Sequence, residues 1–216
     1  QEREFPLDGW LSEESPDNPV RLTSRRVWIV DPIDGTQALV NRIPEFCISV
    51  ALIERGAPVV AAILNPSTDE LFTAVRGCGL FLNGTRVTPS PAYDITPAIL
   101  VNARESRIGR WSTLAETSRC RPMHSIANAL ALVASGRIQA ALTIEPLNEW
   151  DLAAGVLLVE ESGGSVTDAD GKPFVFNQPT PRFRGAIAAA DKNLHVTLQA
   201  HAVRAGSTSD REQAVP

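Results

Sequence analysis

The 216 residues provide for one large domain or two small ones with an ample core, and a 44% hydrophobic share beside a 21% charged share is that of an ordinary soluble globular chain. A formal net charge of −5 argues against a general nucleic-acid binder. No apolar run approaches the roughly 18 residues that span a bilayer, and the opening Gln1-Glu2-Arg3-Glu4 is unlike a basic-then-apolar leader, so neither a membrane partner nor a signal peptide is expected. Cys47, Cys78 and Cys120 are odd in number and lack metal-ligand spacing, which reads as reduced thiols in a cytoplasmic protein; three histidines without paired spacing leave little room for a zinc site.

Residues 1–8 read as a helix tail and a loop, followed by a short strand from Gly9 to Ser12 and a turn at Glu13-Glu14-Ser15. The polar stretch Pro16 to Arg26 is a loop. Val27-Trp28-Ile29-Val30 is a buried strand that ends in Asp31-Pro32-Ile33-Asp34-Gly35-Thr36, and a short helix follows from Thr36 to Val40. Strands are predicted over Phe46–Ile53, Pro58–Leu64, Leu71–Val75 and Gly79–Leu82, with a hairpin turn at Asn83-Gly84; this meander makes the first part α+β with an antiparallel sheet. Thr88 to Pro97, with three prolines, is the boundary between a part covering 1–92 and a part covering 93–204. In the second part strands at Ala98–Asn102, Ile138–Ile144, Val166-Thr167 and Ala186–Ala189 alternate with helices at Gly109–Thr117, Ile126–Ser135, Asp151–Ser162 and Asn193–Val203, which predicts an α/β domain with a mixed sheet. Residues 205–216 are polar, without periodicity, and expected to be disordered.

The stretch from Val27 to Thr36 organises the rest. A carboxylate at a buried strand end is costly unless a cation sits beside it, so Asp31 and Asp34 call for one between them. Pro32 fixes the backbone, Gly35 removes a side chain where a ligand would approach, and Thr36 stands ready to cap a helix whose free amides face an anion. Read alone, the same residues also suit an Asx-type turn, Glu13-Glu14 a solvated turn, and Asp151 a plain helix N-cap. Taken together, Glu13, Asp31, Asp34 and Asp151 supply hard oxygen ligands from separate segments, as Mg²⁺ uses when it also shares phosphate oxygens, and a pair of such ions divides the work of a phosphate displacement.

Ser12-Glu13-Glu14-Ser15, Asp31-Pro32-Ile33-Asp34-Gly35-Thr36 and Trp150-Asp151-Leu152-Ala153-Ala154-Gly155, in that order and with Gly163-Gly164 after the last helix, resemble the inositol monophosphatase superfamily of Mg²⁺-dependent, lithium-sensitive phosphatases. The resemblance implies a layered αβαβα sandwich of the sugar-phosphatase type, incomplete at its N-terminal side, and two or three Mg²⁺ ions. It implies that Glu13, Asp31 and the Ile33 carbonyl hold the first metal and that Asp31, Asp34 and Asp151 share the second. Gly35 and Thr36 would present amides to the phosphate, and the Thr36 hydroxyl would orient the attacking water. Asp34 and Asp151 would also face the substrate, with Ser125 and, more weakly, Glu145 on its organic part. Leu11-Ser12-Glu13-Glu14 and Glu149-Trp150-Asp151 look more like the bacterial 3′(2′),5′-bisphosphate nucleotidases, which act on 3′-phosphoadenosine 5′-phosphate, than like inositol monophosphatases, the alternative within the superfamily. The partner is then a small phosphorylated substrate, with a homodimer as a candidate assembly. His124 stands where the family generally has glycine. The family also carries an upstream segment of two helices and an aspartate paired with the counterpart of Thr36; this sequence holds no match to it, so slow hydrolysis is expected of these residues alone, and a non-catalytic metal- and phosphate-binding protein is the competing reading from another class.

Overall fold

The computed structural model describes residues 4–88 and 98–212, with the side chains of 207–212 excepted. The first part builds one sheet from β1 (Gly9–Ser12), β2 (Arg26–Asp34), the short helix α1 (Thr36–Val40), and then β3 (Cys47–Glu54), β4 (Ala57–Asn65), β5 (Glu70–Val75), β6 (Gly79–Leu82) and β7 (Thr85–Val87). Strand order equals chain order across this seven-stranded sheet. Two-residue turns at Arg55-Gly56 and Asn83-Gly84 have positive φ at both positions, the primed geometry that suits the twist of tight hairpins. The sequence led to an antiparallel sheet; the observed sheet departs from that at one edge, where β1 joins β2 in parallel. The reason is the long connection between them, which carries a 3-10 helix at Pro19–Thr23 inside the predicted loop and is long enough for a crossover.

The second part runs β8 (Ala98–Asn102), α2 (Ala103–Arg107), α3 (Ser112–Ala115), β9 (Arg119–Met123), α4 (Ile126–Ala134), β10 (Ala140–Asn148), α5 (Glu149–Glu161), β11 (Ser165–Thr167), β12 (Arg182–Ala189) and α6 (Lys192–Glu212). Its five strands form a mixed sheet in the order β11-β12-β10-β8-β9, with β8, β9 and β10 mutually parallel. The helix predicted over Gly109–Thr117 is shortened to α3, Gly109 lying outside it at φ 71°; α2 forms before it, where no helix was expected, and β9 takes the polar residues after α3 as an edge strand. The final helix runs well beyond Val203, into the stretch read as a disordered tail. The boundary read at Thr88–Pro97 falls almost entirely on residues 89–97, outside the described residues.

Helices α4 and α5 are buried nearly all round because they are sandwiched between the sheets. Leu130, Val133, Leu152, Val156 and Leu157 share one cluster with Ile29, Ile53, Ile63 and Phe72 of the first sheet and Leu100, Ala141 and Ala188 of the second. The two helices approach so closely that a Cβ on Gly155 would lie 2.6 Å from Leu130 Cβ. Leu198, Ala202 and Ala205 of α6 cover the opposite face of the second sheet, against Ile99, Val101, Leu142 and Ile187. The layers are therefore sheet, helix pair, sheet and helix, within the sandwich expected. On the outer face of the seven-stranded sheet Ile48, Leu71 and Val75 are exposed.

Candidate active site

The site begins with a defect in β2. Asp31 pairs with Ser49 of β3 and Asp34 with Cys47, so three steps along one strand match two along the other. That extra residue is a β-bulge at Pro32-Ile33. Side chains alternate faces along a strand, so residues three apart would point to opposite sides of the sheet; the bulge turns Asp31 and Asp34 to the same side.

The third carboxylate arrives on α5. Asn148 is the N-cap and Asp151 the third helical residue, so the plain N-cap reading of Asp151 is replaced by a reach-back contact in which Asp151 Oδ2 accepts from Asn148 N at 2.6 Å. One oxygen each of Asp31, Asp34 and Asp151 lie within 4.8 Å of one another. Each is held by a backbone or hydroxyl donor: Asp31 Oδ1 accepts from Ile33 N at 2.9 Å, and Asp34 Oδ2 accepts from Ser125 Oγ at 2.6 Å and Ala127 N at 2.7 Å. Fixing one oxygen of each carboxylate sets the direction of the other.

Crowding three acids out of water raises their pKa values. Burial, then the charge of Asp34, pushes Asp31 up to about 7. Burial pushes Asp34 to about 6 against the opposing hydrogen bonds from Ser125 and Ala127, and burial with the charges of Asp34 and Asp31 pushes Asp151 to about 8. A hard divalent cation among these oxygens would remove the repulsion, and the donor set of carboxylates with a backbone carbonyl nearby is what such a cation takes. The residues fit the metal.

Gly35 forms the turn after Asp34. Its φ is 88°, and a Cβ there would stand 2.8 Å from Glu45 O and 2.9 Å from Ser125 Cβ, so only glycine fits. Gly35, not Thr36, is the helix N-cap. The Thr36 hydroxyl donates to Ile33 O at 3.3 Å, which links the two groups expected to meet water and metal. Glu13 is exposed and stands outside the tight cluster, yet close enough that its charge raises all three aspartates. His124 is half-buried, one residue before Ser125.

A model of the inositol monophosphatase family matches residues 1–207 of the chain. The chain belongs to the inositol monophosphatase family. It is 39% identical over 176 residues to an inositol-1-monophosphatase of Rhizobium meliloti, covering 77% of this chain and 65% of that protein. It is 36% identical over 179 residues to the Nus factor SuhB of Escherichia coli K12, covering 78% and 66%. Among solved structures, an IMPase of Thermotoga maritima superposes with a TM-score of 0.81 at 28% identity, over 96% of this chain and 78% of that one. The chain thus spans about two thirds of the length of these curated relatives.

Within this member of the family, two residues expected on the substrate side are already engaged. Ser125 is 3% exposed, and its hydroxyl holds Asp34 while accepting from Asn128 N. Glu145 lies 3.2 Å from Arg110 Nη1 and 3.7 Å from Arg104 Nη1. The bulge of β10 after Thr143 frees the N–H groups of Ile144 and Glu145, and both donate to the fully buried Glu105, which also accepts from Trp111 Nε1. Glu105, Arg110 and Arg21 were not expected at the site from sequence, and Glu149 stood there only as part of Glu149-Trp150-Asp151, with no role given to its carboxylate. Only Glu149 carried a signal, its place beside Trp150-Asp151.

Proposed function

We propose that this chain hydrolyses small phosphate monoesters with Mg²⁺ as the metal, two or three ions being held by Glu13, Asp31, the Ile33 carbonyl, Asp34 and Asp151. The observation that carries this is the convergence of Asp31, Asp34 and Asp151, each aimed by a donor from the protein. Bound Mg²⁺ supplies a water acidic enough to attack at neutral pH and neutralises phosphate charge. The chain's own residues do the rest. Asp31, Asp34 and Asp151 stay ionised once a cation sits among them. Thr36 commits its proton to Ile33 O, so its lone pairs face outward to accept from, and orient, the attacking water. The turn at Gly35 admits phosphate close to the backbone at the start of α1.

Two substrate classes remain in play. The names of relatives support an inositol monophosphate. Leu11-Ser12-Glu13-Glu14 and Glu149-Trp150-Asp151 support a nucleoside bisphosphate, and Arg104 and Arg110 beside Glu145, at the carboxyl ends of the parallel strands, suit a second anionic group on the substrate. We assign the bisphosphate as the better substrate. The test compares kcat/KM for 3′-phosphoadenosine 5′-phosphate and inositol 1-phosphate at the same Mg²⁺. A higher value for the bisphosphate is expected; the reverse order moves the chain to the inositol phosphatases and leaves the metal chemistry standing. Lithium is expected to inhibit either reaction.

A further inference from the structure

Arg21 is the largest fully enclosed cation of the described residues, 2% exposed in the 3-10 helix that follows the Glu13 turn. Its Nε and Nη2 take both oxygens of Asp17, at 2.6 and 2.9 Å; Nη1 donates to Asn177 Oδ1 at 2.7 Å and Nη2 to Gln178 O at 3.0 Å. Asn177 Nδ2 returns a bond to Arg21 O at 3.1 Å. Asn177 has φ 61°, a left-handed conformation that turns successive N–H groups the same way. Both point at Glu149, whose Oε2 accepts from Asn177 N at 2.7 Å and Oε1 from Gln178 N at 2.8 Å. Glu149 is the first residue of α5, 0% exposed and two positions before Asp151. Its carboxylate is consumed by backbone donors, so it is no ligand itself.

At the other end the brace reaches Glu13. Asp17 lies four residues after it, and β1 ends one residue before it; Gly9 of β1 packs so tightly on Arg21 that an added Cβ would meet Arg21 Cβ at 2.9 Å. The segment carrying Glu13 is therefore anchored on Arg21 from both sides.

We infer that Asp17, Arg21, Asn177, Gln178 and Glu149 form a positioning brace that sets the distance between Glu13 and Asp151, so that the outlying glutamate and the helix-borne aspartate close on the same metal cluster. This rests on the reading that Glu13 and Asp151 hold metal. The brace joins parts of the chain 156 residues apart and touches neither substrate nor metal. Neutralising one end without removing atoms should loosen the far ligand. Partners that orient metal ligands from behind typically change affinity by about 10–100-fold when altered.

The test is Mg²⁺ titrated against melting temperature and against phosphate release, in the full chain and in Asp17→Asn and Glu149→Gln. Both variants should raise the Mg²⁺ half-saturation by about 10-fold or more and recover most of kcat at saturating Mg²⁺, with KM for substrate little changed. His195→Gln alters a part-buried contact between α6 and Thr167 and serves as the stability control; it should lower melting temperature and leave the half-saturation alone. A folded Asp17→Asn and Glu149→Gln with wild-type half-saturation overturns the brace. Wild-type protein indifferent to Mg²⁺ overturns the metal reading and the brace with it, a different outcome. Hydrogen exchange at the Asn177 and Gln178 amides of the wild type needs no variant: Mg²⁺ should slow it, and unchanged exchange contradicts the coupling.

Discussion

Ser125 Oγ donates to Asp34 Oδ2 across 2.6 Å while accepting from Asn128 N at 3.0 Å. One buried hydroxyl thereby ties the first turn of α4 to the acidic bulge of the other sheet, and it fixes the carboxylate that raises both its neighbours. Ser125→Ala should weaken Mg²⁺ by about 10–100-fold while the protein remains folded, measured by Mg²⁺-dependent melting. A change confined to substrate KM, with Mg²⁺ binding intact, would instead return Ser125 to the substrate side.

Gly35→Ala meets two obstacles at once, φ 88° and a Cβ position 2.8 Å from Glu45 O. A left-handed non-glycine residue costs about 1–2 kcal/mol before any collision is counted. The expected result is a destabilisation above about 2 kcal/mol in denaturant titration, with loss of phosphate release. Unchanged stability would mean that the turn relaxes freely and does not shape the phosphate site.

The raised carboxylates give a pH signature with a definite sign. Asp31, Asp34 and Asp151 titrate near 7, 6 and 8 in the folded chain, above their ordinary value, so the folded state holds protons that the unfolded state releases. Their favourable contribution is complete below about pH 4 and is lost as pH rises through about 6 to 8. In chelator, melting temperature should fall across that window. Added Mg²⁺, which binds the ionised acids, should stabilise more as pH rises. A flat Mg²⁺ effect from about pH 5 to about pH 8 argues against these three as ligands.

Arg104 is exposed and lies 3.7 Å from Glu145, at the mouth assigned to a second anion. Arg104→Ala should raise KM for 3′-phosphoadenosine 5′-phosphate several-fold, by roughly 1 kcal/mol of lost charge-assisted contact, and leave KM for inositol 1-phosphate unmoved. Equal effects on both substrates would remove Arg104 from the discrimination.

What was legible in the sequence followed from neighbours in the chain. Asp31, Asp34, Gly35 and Thr36 are consecutive enough for their chemistry to show, and β6, β8 and α1 fall where apolar patterning put them. What was hidden depends on register or on distant partners. The bulge at Pro32-Ile33 is a property of pairing with β3; within β2 only Pro32, which has no N–H to give the ladder, hints at it. Arg21 and its neighbour Asp17 looked like an ordinary polar loop pair because the partners that bury Arg21 lie at 177 and 178, and Glu105 gave no sign because it serves N–H groups freed by a bulge in β10. The helix expected from Gly109 starts only at Ser112, because Gly109 takes a left-handed φ of 71°, and α2 before it was not expected at all.

The most direct measurement is inorganic phosphate released by this chain from 3′-phosphoadenosine 5′-phosphate across a Mg²⁺ titration, beside Asp31→Asn and Asp151→Asn. Release should be absent in chelator, rise with Mg²⁺ and be lost in both variants, each of which removes a charge from the cluster of three. Release that persists in chelator, or that survives in both variants, would contradict a metal-dependent phosphatase built on these carboxylates.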